Sequence, residues 1–343
     1  MGMRTWGLAV TALAMSLGGG ASADTGSFGD WAVVCDNVRN CTAMGFGELG
    51  EIGSSALIKV SREAAPDAEP VISLITAGTR AAALRLVVDG TAPQGLSTVA
   101  ATPIQEDPER RMSQLTSVQS RALLSVLANG RTLSLMEGQN PAAAISLAGS
   151  SAALRFMDDR QKRAGTMTAL VARGPRASST VPAAPQPPVV TPAPAVSQTR
   201  LPSRPPPALQ AQLRECDDDI LDLGIDPEVA RLGEGKIFWG MVCSRGAYNV
   251  IYRLFLTNET GGDVRALELD YPGGEATSEL MNISYDPKTR TLMNFDKGRG
   301  LGDCGALTQW VWTGQRFDVA HQTFMPECQG VMSDYWPVSY RSR

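Results

Sequence analysis

The sequence predicts two domains: an α+β domain, mostly antiparallel sheet with two helices, then a mainly-β domain with a short N-terminal helix. Three observations predict this. Eleven of the 22 prolines fall between Gly174 and Ala208, a stretch without a single acidic or aromatic residue, so the chain is divided there. Before that stretch, strand-like runs give way to apolar residues at helical spacing. After it, short apolar runs alternate with polar turns to the C-terminus.

Met1 to Ala23 reads as a secretory signal peptide, with Arg4 as the positive end and Trp6 to Leu17 as a short apolar run. Ala21-Ser22-Ala23 supplies the small residues of a cleavage site, so the mature chain is expected to begin at Asp24. The apolar run is too short for a membrane span, and nothing later reaches the roughly 18 apolar residues one requires. A periplasmic or secreted location follows as the expectation, with no transmembrane segment.

The first domain is expected over residues 24–174. Phe28 to Cys35 opens it as a strand with Trp31, Val33 and Cys35 on one side. Ala56–Ser61, Val71–Thr76 and Leu84–Val88 are rich in Val, Ile and Leu and read as further strands. Leu115, Val118, Ala122, Leu123 and Val126 then recur at helical spacing, and Asn129-Gly130 stops that helix. Arg131–Met136 and Ala144–Leu147 predict short strands, Ser150–Arg163 a second helix ended by Gly165, and Thr166–Ala172 a last strand. The charged run Asp158 to Arg163 reads as a solvated helix end.

Residues 175–208 form the proline-rich linker. Such a segment cannot build a core and is expected to be an extended, semi-rigid spacer reaching up to roughly 100 Å at about 3.1 Å per residue. The second domain is expected over residues 209–343. A short helix from Pro207 to about Cys216 opens it, and Asp217-Asp218-Asp219 with Asp222 and Asp226 reads as a surface acid cluster. It lacks the glycine and closing glutamate of a calcium loop. Strands follow near residues 236–243, 248–257, 265–269, 281–285, 291–295, 309–312 and 317–322, with turns such as Thr260-Gly261-Gly262 and Asp286-Pro287-Lys288 between them.

All six cysteines, at 35, 41, 216, 243, 304 and 328, follow the cleavage site. An even count in an exported chain predicts three disulfides. If none crosses the linker, Cys35–Cys41 is forced. Cys216–Cys243 and Cys304–Cys328 are the most local pairing of the other four, which formally leave three. Loop closure would make each bridge worth about 2–4 kcal/mol. No CxxC occurs and there is one histidine, so neither a zinc site nor thiol chemistry is expected, and no cofactor.

The densest stretch is Gly298 to Phe317, GRGLGDCGALTQWVWTGQRF. It reads as a disulfide-anchored glycine loop entering a β-hairpin, with Thr308, Trp310 and Trp312 on one side of a strand. Thr313-Gly314-Gln315 makes the turn, and Phe317, Val319 and His321 repeat the alternation on the return. The two tryptophans are either core of this hairpin or a binding surface with Tyr248, Arg299 and Asp303. The loop is no phosphate cradle, since no GxxxxGK[ST] is present and a strand follows.

With these motifs in view, the chain resembles an uncharacterised proteobacterial family, domain of unknown function 1176. The resemblance covers essentially the whole mature chain. It rests on Phe28-Gly-Asp-Trp31 with Cys35 and Cys41, on Ser151-Ala-Ala-Leu-Arg-Phe-Met-Asp-Asp-Arg-Gln161, and on Cys243-Ser-Arg-Gly-Ala-Tyr-Asn249. Gly298-Arg-Gly-Leu-Gly-Asp-Cys-Gly305 and Trp310-Val-Trp-Thr-Gly314 complete it. The first domain alone looks more loosely like invasion-associated locus B proteins, exported bacterial proteins linked with host-cell invasion. The resemblance implies export and fold and brings no catalytic residues.

The charge and the motifs exclude several functions. Residues 24–174 carry a net −1 and residues 209–343 a net −7, so neither domain has the basic footprint of a nucleic-acid binder. His321 is the only histidine, so every Ser-His or Cys-His mechanism depends on it, and no GxSxG or HExxH occurs. Fifteen of the twenty aromatics lie in the second domain, which makes it the expected recognition module. The function expected is that of an exported, envelope-associated binding protein without a recognisable catalytic site. Its partner would be an envelope protein or a cell-wall polymer. A cell-wall-directed hydrolase or hydrolase inhibitor, with Asp303 as the carboxylate to test, is the alternative.

Overall fold

A computed structural model describes residues 23–50, 53–214, 216 and 224–343. The expected signal peptide, apart from Ala23, and the acidic residues Asp217 to Asp219 and Asp222 lie outside the described residues.

In the first domain β1 (Asp24–Phe28), β2 (Trp31–Cys35) and β3 (Cys41–Phe46) form an antiparallel meander. A minimal hairpin of β4 (Leu49–Gly50) and β5 (Gly53–Ser54) leads into β6 (Ala56–Arg62) and β7 (Val71–Ala77), which pair with each other. Then come β8 (Ala83–Val88), β9 (Val99–Ala100), β10 (Thr102–Pro103) and β11 (Arg110–Gln114). Helix α1 (Ser117–Leu127), the hairpin of β12 (Thr132–Glu137) and β13 (Asn140–Ser146), and helix α2 (Ser150–Arg160) complete the domain. The strands make a seven-stranded sheet, β1-β2-β3-β6-β7-β11-β10, and a four-stranded one, β13-β12-β8-β9. The α+β expectation holds. Helix α1 begins where its chemistry says it should, because Thr116 and Gln119 form a reciprocal capping box.

Three expectations for this domain change. Phe28 to Cys35 is not one strand: the chain turns at Gly29-Asp30, so Phe28 ends β1 and pairs with Trp31, the first residue of β2. Thr166–Ala172 is not a strand. It wraps around the end of α2, where the Asp158 carboxylate accepts the backbone N–H groups of Leu170, Val171 and Ala172. The run Asp158 to Arg163 is accordingly not a solvated helix end. Asp158, Gln161 and Arg163 are buried, while Asp159 and Lys162 face water. The Arg163 guanidinium donates to the carbonyls of Glu63, Ala64, Ala65 and Pro66. A buried cation needs such saturation, because one left without acceptors is strongly destabilising.

The second domain begins with α3 (Pro207–Gln210) and a following 3-10 turn through Leu213. Its strands are β14 (Glu228–Gly233), β15 (Lys236–Arg245), β16 (Val250–Asn258), β17 (Arg265–Ala266), β18 (Glu279–Met281) and β19 (Ile283–Asp286). They continue as β20 (Thr291–Lys297), β21 (Gly305–Trp312), β22 (Phe317–Met325) and β23 (Val338–Arg341). One sheet runs β14-β15-β16-β17, with β18 also on β16, and the other runs β19-β20-β21-β22-β23. Their facing sides enclose a core that includes Phe238, Leu254, Leu292, Trp310, Trp312 and Phe317. The disulfides are Cys35–Cys41, Cys216–Cys243 and Cys304–Cys328.

The domains are not held apart. Strand β2 is buried along its whole length, WAVVC, on both faces. Trp31, Val33 and Cys35 enter the first domain's own core, whereas Ala32 and Val34 face the other way, with Met44, Phe46, Leu57 and Ile75. Against this second face pack Phe295, Leu307, Met325, Val331, Tyr335 and Trp336 of the second domain. One apolar cluster therefore spans both domains, sheet face on sheet face.

Polar clamps flank that cluster. The loop closed by Cys35–Cys41 reaches β23: Arg341 pairs with the fully buried Asp36 carboxylate, and Asn37 exchanges two hydrogen bonds with the Arg341 backbone. On another side, Gly330 packs against Gly53 and accepts the Ser54 N–H at 3.3 Å. The proline-rich segment is laid down as well. Arg39 donates to the Pro182 and Ala183 carbonyls, Val190 and Ala193 donate to Arg343 and Trp312, and Gln198 brackets Arg231. It is extended, as its prolines dictate, but it is docked along its length instead of spanning solvent.

Replacing Asp36 tests the clamp. Its carboxylate also accepts the N–H groups of Val38 and Asn40, so Asp36→Ala strands buried donors as well as Arg341. The expected loss is about 2–4 kcal/mol in urea unfolding, and Asp36→Asn should retain part of it.

Candidate functional site

The residues singled out from the sequence separate into two places. Trp310 and Trp312 lie in the second domain's core, 0% and 1% exposed. The Trp310 indole donates to the Asp270 carbonyl at 2.7 Å and stacks at a tilt on Tyr271, while Trp312 packs on Phe317. Neither ring is available to stack on a ligand. This corrects the binding-surface reading for both tryptophans. The alternation that predicts one-sidedness was right, but that side faces the opposing sheet.

His321 moves for a different reason. A bulge at Ala320 shifts the β21–β22 register, so Val319 pairs with Trp310 but His321 pairs with Gln309. The one-residue slip sends Gln322 into the core, where it donates to Thr308, and leaves His321 half-buried on the opposite face. Burial, with the nearby positive charge of Arg341, pushes its imidazole below the ordinary histidine range.

Tyr248, Arg299 and Asp303 do come together. The loop after β20 turns at Arg299–Gly302, closed by the Gly302 N–H on the Arg299 carbonyl, and Leu301 stands at its tip, 80% exposed. Tyr248, from the loop between β15 and β16, lays its ring against Gly300; a Cβ there would meet the ring at 2.8 Å. Glycine at 300 is thus a condition of that contact. Tyr248 itself is 71% exposed. Arg299 and Asp303 form a bidentate pair, and Asp303 also accepts the Gly330 N–H at 2.7 Å. Arg299 donates further to the Cys328 carbonyl, next to the Cys304–Cys328 bridge.

Asp303 is therefore a bracing residue. The Arg299 guanidinium holds its buried carboxyl below the usual range, the reverse of what a proton donor needs. Asp303, Cys304 and Cys328 are the one grouping of potential metal ligands among the described residues. Its two sulfurs are spent on each other in the disulfide and its carboxylate on Arg299.

A second place was not singled out from the sequence. Where the second domain stops covering the seven-stranded sheet, a groove of about 510 Å³ opens at the domain junction. Thr42, Lys59 and Ser61 line its floor and Trp336, Pro337 and Val338 one wall. The signal was present in β6, ALIKVSR: one face reads Ala56, Ile58, Val60, while the other turns from Leu57 to Lys59 and Ser61. Only the docking of the second domain makes that change of polarity the edge of a cleft.

Truncation separates core from surface. Trp312→Ala or Trp310→Ala should lose about 3–5 kcal/mol in denaturant unfolding, whereas Tyr248→Ala should stay within about 0.5 kcal/mol of the parent. Asp303→Asn should destabilise at neutral pH. Because the folded carboxyl titrates below its ordinary 3.8, the advantage of Asp303 is complete above that pH and is lost as pH falls through the lower, folded value. The two proteins should converge in strong acid.

Comparison with known proteins now gives the chain its relatives. "Uncharacterized protein YpfG" of Escherichia coli (strain K12) is 30% identical over 346 residues, covering 92% of each chain. The crystal structure of invasion associated protein b from Bartonella henselae is similar at 19% identity, covering 40% of this chain and 98% of that one with a TM-score of 0.28. That score is too low to carry an argument. The family model described as "Protein of unknown function (DUF1176)" matches residues 25–343, and with the YpfG similarity it shows that the chain belongs to the DUF1176 family.

Proposed function

We propose that the protein is exported and acts as an envelope-associated binding protein, with the Tyr248–Leu301 surface as its contact for a protein partner. The observation that carries this is the exposed pair itself: a tyrosine seated on a glycine and a leucine at a turn tip, 71% and 80% exposed. Large apolar groups that a fold presents so openly, beside Arg299, have the composition of an interface anchor. Their support is stiff. The Cys304–Cys328 bridge, the Arg299–Asp303 pair and the Gly330 contact fix the loop, so little entropy is lost when a partner closes on it.

Export is supported by the signal-like start and by three disulfides without a free cysteine, the usage of a non-cytoplasmic protein. No helix of the described residues is long and apolar enough to cross a membrane. A protein partner is favoured over a wall polymer because the tryptophans that would stack on sugar rings are core. A protruding leucine fits a complementary pocket better than a flat saccharide face.

Crosslinking in cells tests this. A photoreactive phenylalanine analogue at position 301 should give one or a few discrete protein adducts. Tyr248→Ala should weaken them at least fivefold, with stability intact. The purified protein should stay in the supernatant when isolated cell-wall sacculi are pelleted. Pelleting with sacculi and no adducts would replace the protein partner with the wall polymer.

A further inference from the structure

The groove at the domain junction carries an inference of its own, independent of the Tyr248 surface. The face of the seven-stranded sheet that meets the second domain is ordered in rows by strand register. Phe46, Leu57 and Ile75 form one row, Met44, Lys59 and Ser73 the next, and Thr42, Ser61 and Val71 the third. The first row is buried under the second domain. The third row is open. Lys59 stands at the boundary and lines the groove, half-buried beside the covered row.

That ammonium is in an unusual position. It donates to the Tyr335 carbonyl at 2.9 Å, and no carboxylate lies within ion-pair distance of it among the described residues. A lysine has three N–H donors, so one carbonyl leaves capacity for two more. Burial pushes its pKa below the ordinary lysine value, as expected for a desolvated cation without a counter-ion. The other cations of the groove have partners: Arg341 pairs with Asp36, and Arg62 donates to the carbonyls of Ala68 and Thr168. Beyond Lys59 the floor offers the Thr42 and Ser61 hydroxyls, 3.0 Å from each other, about one pleat repeat of 7 Å away along the strands.

We propose that this groove is a binding site for a peptide-like monocarboxylate, with Lys59 anchoring the carboxylate and the Thr42–Ser61 hydroxyls and the Trp336–Val338 wall receiving the chain. The charge balance selects the ligand class. One cation at the floor is uncompensated, while the exposed Glu63 at the rim, its neighbour Glu69 being paired with Arg121, disfavours a dianion such as phosphate. The volume, about 510 Å³, and the apolar side made by Val71, Pro337 and Val338 suit a short chain of carbon and amide groups rather than a bare ion. Both domains supply the site, so it exists only while they are docked.

The test uses N-acetyl-alanyl-alanine, the same dipeptide as its C-terminal amide, and inorganic phosphate, each with the full mature chain. Lys59 acylation by an amine-reactive ester is followed by mass spectrometry, with exposed Lys162 and Lys288 as internal references. The free carboxylate should slow Lys59 labelling at least fivefold and raise the melting temperature. The amide and phosphate should do neither. Lys59→Met should melt at or above the parent, since it removes a partly desolvated charge that has no counter-ion, yet lose the ligand-induced shift and leave adducts through position 301 unchanged. Equal protection by the amide or by phosphate, or none by the carboxylate, would overturn the proposal. So would a marked destabilisation by Lys59→Met, which would make the lysine a structural strut to Tyr335.

Discussion

The seven-stranded sheet must be covered on both faces, and the rest of the molecule follows from that constraint. Its strands carry apolar residues on each side, most plainly in β2, where five successive residues are buried. One face is covered locally, by α1, α2 and the four-stranded sheet. Among the described residues, the other is covered by the second domain and by no helix or second sheet of the first. Exposed, the row Phe46–Leu57–Ile75 with Ala32, Val34 and Met44 would be a broad apolar patch of the kind that drives association. The second domain covers it with the outer face of β20–β22 and the Tyr335–Trp336 segment.

That requirement explains where the polar devices lie. The Cys35–Cys41 bridge closes a loop over a sequence separation of only 6, yet that loop presents Asp36 and Asn37 to β23 and Arg39 to the proline-rich segment. The glycine loop, the Cys304–Cys328 bridge and the Gly330–Gly53 approach do the corresponding work on another side of the same apolar cluster. A disulfide in each domain thus shapes a loop that touches the other domain. The proline segment, docked to both, keeps its extended backbone and loses its reach. The surfaces of the two domains are therefore fixed in relation to one another, not carried by a tethered module searching space.

Much of the fold was legible because it is local. Period-two runs, the helical spacing over α1, its Asn129-Gly130 stop and the nearest-neighbour disulfides all depend on residues close in sequence. What escaped depends on contacts across hundreds of positions. Ala32 and Val34 look like ordinary strand filler until a second sheet lies over them. Asp158 to Arg163 has the composition of a surface, and only the segment wrapping it shows that three of its members are buried hubs. The short β14 and β23 lack a strong alternating signal and are defined by their neighbours. Of the site residues, Arg299 and Asp303 stand out through their glycine-rich loop, whereas the seat of Tyr248 on Gly300 depends on a contact about fifty residues away. Trp310 and Trp312 were assigned to the right strand face, but no one-dimensional pattern tells a core face from a binding face. His321 was displaced by a single bulged residue, and Lys59 was hidden because its groove is made by two domains.

The central claim is that the two domains fold as one body around a shared core, and calorimetric unfolding of the mature chain with its disulfides intact tests it most directly. A shared core predicts one transition, with equal calorimetric and van't Hoff enthalpies, and a C-terminal fragment from Leu209 that melts well below it. Two separable transitions, one of them at the temperature of the isolated fragment, would contradict the claim and return the proline-rich segment to the role of a spacer.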